Sequence, residues 1–320
     1  MKILITGSCG FIGFSLAKFL LDKDYEILGI DNLNDYYSIK LKEKRLELLK
    51  NYKKFNFHFL DLKNEKKINK VFKNNKIDYV FHLAAQAGVR HSVDFPRDYI
   101  DSNILGFFNI LENCKKKKVK RVFYASSSSV YGNSIKFPLK EDNILSPNNV
   151  YSLTKKFNED ISEVYSNYYK LKLTGLRFFT VYGEWGRPDM FVYKLLESCA
   201  SKKPFYLNNY GNHFRDFTYI QDSVKMVYKL FRSKKLKGHD VFNICSNKPL
   251  KLNKIIKIVE KNMGKIKITN KKLQLADVIK THGNNSKIKK FLKYKDYTKI
   301  ETGILNTIKW FKKYKKIKIS

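Results

Sequence analysis

Tyr151 and Lys155 stand four residues apart in the stretch Tyr151-Ser-Leu-Thr-Lys155. That spacing puts both side chains on one face of a helix. A phenol, with a reference pKa of about 10, is a poor base at neutral pH, and a neighbouring ammonium favours its ionised form. Together the two residues make a proton acceptor for a sugar or alcohol hydroxyl. With 21 Tyr in the chain and many more Lys, the same spacing also arises by chance on helix surfaces. Its meaning depends on what the rest of the chain places around it.

A second chemical constellation opens the chain. An apolar strand over residues 2–6 runs into Thr6-Gly7-Ser-Cys-Gly10-Phe11-Ile12-Gly13, and an amphipathic helix is expected from Phe11 to about Leu21. Strand, glycine turn and helix in this order form a dinucleotide fingerprint. The first glycine allows the tight turn and the second lets backbone approach a pyrophosphate. The third lets helix and strand pack closely, with the phosphates at the helix N-terminus. The next strand, Glu26–Ile30, ends at Asp31, close to where a carboxylate accepts the adenosine ribose hydroxyls. A 2′-phosphate would be repelled there, so NAD is expected over NADP.

The elements that position these groups alternate as strand and helix. A charged helix is expected over about Ile39–Lys50. Strands follow at Phe55–Leu60, Ile77–Leu83, Lys120–Ala125 and Leu171–Phe178, with long helices over 97–114, carrying Asn103, and from Tyr151 to about Lys170. Asp61, just past the third strand, is placed either to bond an adenine amine or to cap the helix beginning near Asn64. The small residues of Ala84-Ala85-Gln86-Ala87-Gly88 suit close passage of a cofactor. Four hydroxyls, Ser126 to Ser129, follow a parallel strand, where open α/β sheets bind ligands. After residue 180 the alternation weakens into an aromatic, turn-rich segment. A helix is expected from about Asp222, a strand at Val241–Ile244, and three small helices at the end. Four of the eight arginines, Arg90, Arg177, Arg187 and Arg215, fall in these loops and strand ends. Their guanidinium forks suit phosphate or carboxylate, or serve structural ion pairs. The expectation is an α/β protein: residues 1–180 as a doubly wound parallel sheet, and 181–320 as a smaller mixed α/β part, with roughly 222–244 returning to the sheet.

Composition narrows the classes. The 320 residues are 43% hydrophobic, and no apolar run reaches the roughly 18 residues that span a membrane. Lys2 to Thr6 runs directly into glycines, which reads as a buried strand and not as a secretion leader, so a cytoplasmic protein without a membrane partner is expected. The net charge is +35, but only eight of the 64 basic residues are Arg and the Lys are spread along the chain. Nucleic-acid readers cluster Arg with aromatics, so no nucleic-acid partner is expected. The field instead attracts small anions, nucleotides among them. Cys9, Cys114, Cys199 and Cys245 form no Cys-x-x-Cys pair and no His cluster has ligand spacing. Reduced thiols and no metal site are expected.

These residues together resemble the extended short-chain dehydrogenase/reductase family. The resemblance rests on Thr6-Gly7-x-x-Gly-Phe-Ile-Gly13, the serine strand end, Tyr151-x-x-x-Lys155 and Arg215-Asp-Phe-Thr-Tyr-Ile220, and covers nearly the whole chain. Within the family it is most similar to nucleotide-sugar epimerases, and among these to UDP-glucuronate 4-epimerases. That step rests on Asp31-Asn32-Leu-Asn34-Asp35-Tyr-Tyr37, Ala84-Ala-Gln-Ala-Gly-Val-Arg90, Ser126 to Tyr131, Arg177-Phe-Phe-Thr-Val-Tyr-Gly183 and Trp185-Gly-Arg-Pro-Asp-Met190. Departures stand at Ser8-Cys9, usually Ala-Ala, at Glu184, usually Pro, at Gln221, usually Asp, and at Leu275-Ala276-Asp277, usually Pro-Gly-Asp.

The resemblance implies a Rossmann-type fold and a bound NAD that is regenerated in each cycle. NAD would be held by Gly7, Gly10, Phe11, Ile12, Gly13, Asp31, Asn32, Asn34, Asp35, Asp61, Leu62, Leu83, Ala84, Ala85, Gln86, Asn103 and Phe178, together with Tyr151 and Lys155. Tyr151 would take the proton of the sugar 4-hydroxyl, Ser127 would hydrogen-bond the same oxygen, and Lys155 would assist Tyr151 and hold the nicotinamide ribose. Gln86, Arg90, Ser127, Ser128, Ser129, Tyr151, Thr180 and Arg187 would meet the UDP-sugar. Arg215 and Asp277 would serve its nucleotide side. A homodimer through helices near 97–114 and 151–170 is implied, as is polysaccharide sugar supply as the setting. Alternatives are 4-epimerisation of UDP-glucose or UDP-N-acetylglucosamine, UDP-glucuronate decarboxylation, or a non-catalytic NAD-binding scaffold or sensor. A 4,6-dehydratase would need an Asp-Glu pair where serines precede Val130-Tyr131-Gly132.

Overall fold

The computed structural model of the chain describes residues 1–273 and 278–317. In chain order it contains β1 (Lys2–Thr6), α1 (Phe11–Leu21), β2 (Glu26–Asp31), α2 (Ile39–Lys50), β3 (Phe55–Phe59), α3 (Glu65–Asn74), β4 (Tyr79–His82), α4 (His91–Asp94), α5 (Pro96–Tyr99), α6 (Gly106–Lys116), β5 (Arg121–Ser127), α7 (Val150–Tyr169) and β6 (Leu173–Phe178). There follow β7 (Thr180–Tyr182), α8 (Phe191–Ser201), β8 (Phe205–Asn208), β9 (Phe214–Tyr219), α9 (Ile220–Arg232), β10 (His239–Ile244), β11 (Pro249–Lys251), α10 (Leu252–Met263), β12 (Ile268–Lys271), α11 (Ser286–Leu292) and α12 (Ile300–Tyr314). Two compact units are formed. The first comprises Met1–Ser134, Glu141–Phe178 and Leu230–Asn243; the second comprises Ile135–Lys140, Phe179–Lys229 and Ile244–Ser320.

The first unit is built on a seven-stranded sheet in the order β10-β6-β5-β4-β1-β2-β3. Its strands β1 to β6 pair in parallel. Strands covered on both faces read as unbroken apolar runs. Ile3, Leu4 and Ile5 of β1 are fully buried, as are Val122, Phe123 and Tyr124 of β5. The chain winds outward from β1 to β3, then returns to β4 on the other side of β1. The topological switch point therefore lies between β1 and β4, at the carboxyl ends where such sheets bind ligands. Local chemistry sets the helix starts: Ser38 caps α2, Asn64 caps α3, and Asn149 with Ser152 forms a capping box on α7.

Three elements differ from the sequence expectation. β5 runs on to Ser127, because Ser126 and Ser127 pair with Arg177 and Phe178 of β6. The helix expected over 97–114 is broken into α5, a π-helical turn at Ile100–Leu105 and α6. The wider turn carries Asn103, which is bonded to the chain at Gln86, and Gly106 follows where a Cβ would come 3.0 Å from Leu62 Cβ. The part after residue 180 contains more strands than its weak periodicity indicated. In the second unit β11, β9 and β7 form one sheet and β12 pairs with β8 in parallel. These strands span three to six residues, too short to show a pattern. Residues 135–140 also join this unit, through a bridge from Leu139 to Gly283.

Candidate active site

The glycine turn is set by close packing. Gly7 has φ +70°, and a Cβ there would lie 2.7 Å from the Ala84 nitrogen; at Gly13 it would lie 2.0 Å from the Gly7 oxygen. Neither position accepts a side chain. The turn leads into α1, whose N-terminus carries no side-chain cap. Its first-turn N–H groups suit an anion. Next to it, Asp31 accepts the Cys9 N–H at 2.9 Å on Oδ2 and the Leu33 N–H at 2.9 Å on Oδ1. Each carboxylate oxygen keeps a second lone pair for a ribose hydroxyl.

One cleft in the first unit is lined by Gly7, Asp31, Asn32, Asn34, Asp61, Leu62, Ala84, Ala85 and Gln86, all singled out from the sequence. Ile30, Leu60 and Ser102 also line it and were not. Ile30 is the last apolar residue of β2 and Leu60 directly follows β3, and by sequence both look like core. Asp61 Oδ2 accepts from Asn32 Nδ2 at 3.0 Å, while Asn64, not Asp61, caps α3 through the Lys67 N–H. The cap alternative for Asp61 is thus removed. A rigid glycine cradle beside a cleft with a carboxylate at one strand end fits a dinucleotide with free ribose hydroxyls. Of the other expected cofactor residues, Phe11 and Phe178 are buried, Ile12 and Leu83 are half-buried, and Asp35 is exposed. Gly10 closes the turn with its N–H on the Gly7 oxygen.

The Tyr-Lys pair lies on α7. Lys155 is 1% exposed and donates to the Ala125 carbonyl of β5 at 2.9 Å. This bond pins the first turns of α7 against the strand end that carries Ser127. Burial pushes the Lys155 ammonium down to about 7, and burial, with the Lys155 charge second, holds the His82 imidazole down to about 3. Ser127 Oγ donates to Ser129 Oγ at 3.1 Å and accepts the Ser129 N–H at 3.2 Å, which shapes a 3-10 turn over Ser128–Tyr131. Tyr151, half-buried on the first turn of α7, packs edge-on against Tyr99 with ring centroids 6.0 Å apart. Tyr99 is fixed by donation to the Ala87 and Gly88 carbonyls. Tyr99 was not foreseen, although its spacing of four from Asn103 was visible in the sequence. Asn103 donates to Thr154 Oγ1 at 3.0 Å, between Tyr151 and Lys155.

The arginines divide. Arg177 is not open to a ligand: it forms a bidentate pair with Glu159, at 2.9 and 2.7 Å, and both side chains are almost fully buried. Its structural alternative therefore holds. Arg90 is exposed at the start of α4. In the second unit, Arg187 pairs with Asp189 through both ends of its fork, Arg215 donates to the Phe214 and Ile279 carbonyls, and Thr180 is half-buried at the start of β7. Asp277 lies outside the described residues.

The parallel sheet with its glycine turn, the strand-end carboxylate and the helix-borne Tyr-x-x-x-Lys pair define a Rossmann-fold protein of the extended short-chain dehydrogenase/reductase type. The model of the NAD dependent epimerase/dehydratase family matches residues 3–245. The chain belongs to that family. It is 40% identical over 314 residues to a UDP-glucuronate 4-epimerase of Thermodesulfobacterium geofontis, covering 97% of this chain and 95% of the relative. It is 41% identical to protein CapI of Staphylococcus aureus, covering 99% of this chain and all of the relative. The crystal structure of UDP-glucuronic acid 4-epimerase from Bacillus cereus, in complex with UDP-glucuronic acid and NAD, superposes with a TM-score of 0.93 at 32% identity, covering 98% of this chain and 100% of the other.

Proposed function

We propose that the protein is an NAD-dependent isomerase that interconverts UDP-glucuronate and UDP-galacturonate by 4-epimerisation. The observation that supports this reading is the Lys155–Ala125 bond, which ties the α7 turn that carries Lys155 to the strand β5 that ends in the serines. The chain's likeness over nearly its full length to 4-epimerases of UDP-glucuronate supports the choice of sugar. Gly7, Asp31, Asn32, Asn34, Asp61 and Ala84 to Gln86 would hold the cofactor. NAD bound there supplies a reversible two-electron acceptor for the hydrogen on the sugar C4.

The chain's own residues manage the protons and the orientation. Tyr151 takes the proton of the 4-hydroxyl as the carbonyl forms and returns it to the same oxygen in the second half of the cycle. Ser127 turns its hydroxyl from Ser129 Oγ to donate a hydrogen bond to that oxygen. A protonated Lys155 stabilises negative charge on the Tyr151 oxygen. Between the two halves the sugar must present its other face. A 4-keto uronic acid is a β-keto acid, so its carboxylate must be held with the C–C bond out of line with the ketone π-system, or CO₂ is lost. Gln86, Ser128, Ser129, Thr180 and Arg187 are proposed for the sugar and carboxylate, Arg90 and Arg215 for the phosphates, and Asp277 for the nucleotide.

The test uses purified protein without added cofactor, given UDP-glucuronate, UDP-glucose or UDP-N-acetylglucosamine in turn, with products read by proton NMR. UDP-galacturonate without CO₂ is the expected product. Turnover of only the neutral sugars, or formation of UDP-xylose, overturns the substrate assignment. Tyr151→Phe should lower turnover by about 100-fold or more while leaving NAD bound; full activity in that variant would sink the mechanism. A homodimer is proposed through α7 and the helical stretch before β5, where Leu105, Phe108, Leu153 and Val164 are exposed. No helix among the described residues is long and apolar enough to cross a membrane. A cytoplasmic enzyme supplying sugar nucleotides to polysaccharide synthesis is the setting we favour.

A further inference from the structure

Lys42, on the first turn of α2, is 4% exposed. Its ammonium donates to both the backbone oxygen and Oδ1 of Asn34. An ammonium has no acceptor, so it dictates which end of the Asn34 amide faces it. The oxygen turns to Lys42 and the nitrogen is left to point elsewhere. That nitrogen donates to Gln86 Oε1 at 3.1 Å. The backbone of Gln86 is held at both groups by Asn103, whose Oδ1 accepts the Gln86 N–H at 2.8 Å and whose Nδ2 donates to the Gln86 oxygen at 3.0 Å. From Asn103 the path continues to Thr154 on α7. A bonded chain thus runs from a buried cation on α2 to the helix of Tyr151 and Lys155.

This chain crosses the cleft. Asn34 belongs to the loop after β2 and Gln86 to the loop after β4, and both line the cleft. β1 lies between β2 and β4 in the sheet, so the Asn34–Gln86 bond spans the switch point above the glycine turn. We propose that the bridge is a latch that retains the cofactor between turnovers, and that Lys42 is the positioning residue that keeps it shut. The proposal rests on the reading of the cleft as an NAD site. An epimerase regenerates its cofactor, so release in each cycle serves nothing, and opening the cleft between these two loops must break the Asn34–Gln86 bond. Bonds from an ammonium are roughly twice as strong as neutral ones, so Asn34 is the fixed half of the latch and Gln86 the half it catches.

The experiment follows NAD release from purified holoenzyme after rapid desalting and dilution. Lys42→Met keeps the buried stem and removes the donors. Release is expected to be about tenfold faster or more, equivalent to about 1.4 kcal/mol. With saturating NAD, kcat should stay within about twofold of wild type, while turnover without added NAD decays with the release rate. Gln86→Met cuts the same bridge from the β4 side, and because Gln86 itself lines the cleft its effect is read through the double variant. Lys42→Gln, which also removes the cation, tests the latch if Lys42→Met does not fold. Combined, the two changes should release NAD little faster than either alone, because they break one bridge. Equal release by wild type and both single variants overturns the latch alone, and so do multiplying effects in the double variant. Wild-type protein that carries no NAD overturns both the latch and the reading of the cleft.

Discussion

Lys155 offers the sharpest quantitative test, since its burial makes stability depend on pH in a way few residues do. Its side chain is 1% exposed, and burial lowers its pKa from 10.5 to about 7. In the unfolded chain the same amine holds its proton up to about 10.5. Between those values the unfolded state binds more protons than the folded state, so this residue makes stability rise with pH. The slope is about 1.4 kcal/mol per pH unit, and from pH 7.5 to 9.5 the contribution sums to about 2.5 kcal/mol. Lys155→Met removes the titrating group and with it this slope, whatever the change does to packing. The assay is urea unfolding of cofactor-free wild type and variant across that range. Trp185 and Trp310 both lie in the second unit, so tryptophan fluorescence reports directly on that unit and not on the one that holds Lys155. Far-ultraviolet circular dichroism follows both units. Wild type should gain about 2.5 kcal/mol more than the variant over those two pH units. Parallel stability curves would refute the argument, because they would mean that the ammonium is solvated or paired in the folded state.

Glu159→Ala leaves Arg177 buried without its partner, and uncompensated burial of this kind costs about 3–5 kcal/mol. A loss below about 1 kcal/mol in urea unfolding would show that the pair is solvent-screened. Asp31→Ala removes a charged acceptor from the ribose side of the cleft and should weaken NAD binding by about 10- to 100-fold. It should also narrow the preference of NAD over NADP; unchanged affinity by titration calorimetry would exclude Asp31 from the cofactor site.

The site was legible where chemistry is local in the sequence. The glycine turn, Asp31 and the loop from Ala84 to Gln86 each follow a buried strand, and a strand's apolar run tells where its carboxyl end lies. Strand ends in a parallel sheet converge on one edge, so residues far apart in the chain could be placed in one cleft before any coordinates. Tyr151 and Lys155 were singled out by the same logic, with helical spacing in place of strand ends, and both lie on α7. The second unit was harder, because β7, β11 and β12 are too short for periodicity to distinguish them from turns.

What the sequence hid is the role of charge in the interior. Lys42 and Arg45 sit in a helix whose composition, Ile39-Lys-Leu-Lys-Glu-Lys-Arg45, reads as a solvated face. Both are buried in the fold, and Arg45 is bonded to the Cys9 carbonyl of the glycine turn at 2.8 Å and to Tyr37. In a chain with a net charge of +35, two lysines or arginines more or less carry no compositional signal. Their burial becomes visible only when the loop after β2 folds back over α2 and supplies oxygens for them, Asn34 for Lys42 and Tyr37 for Arg45. Burying a cation is costly unless it is paired or hydrogen-bonded. Asn34, which lines the cleft, also satisfies the Lys42 ammonium, while the Cys9 carbonyl and Tyr37 satisfy the Arg45 guanidinium, so loosening the loop after β2 exposes that cost. The loop after β2 is consequently tied to the stability of α2, which is how the proposed latch would let Lys42 act on release without touching the reacting atoms.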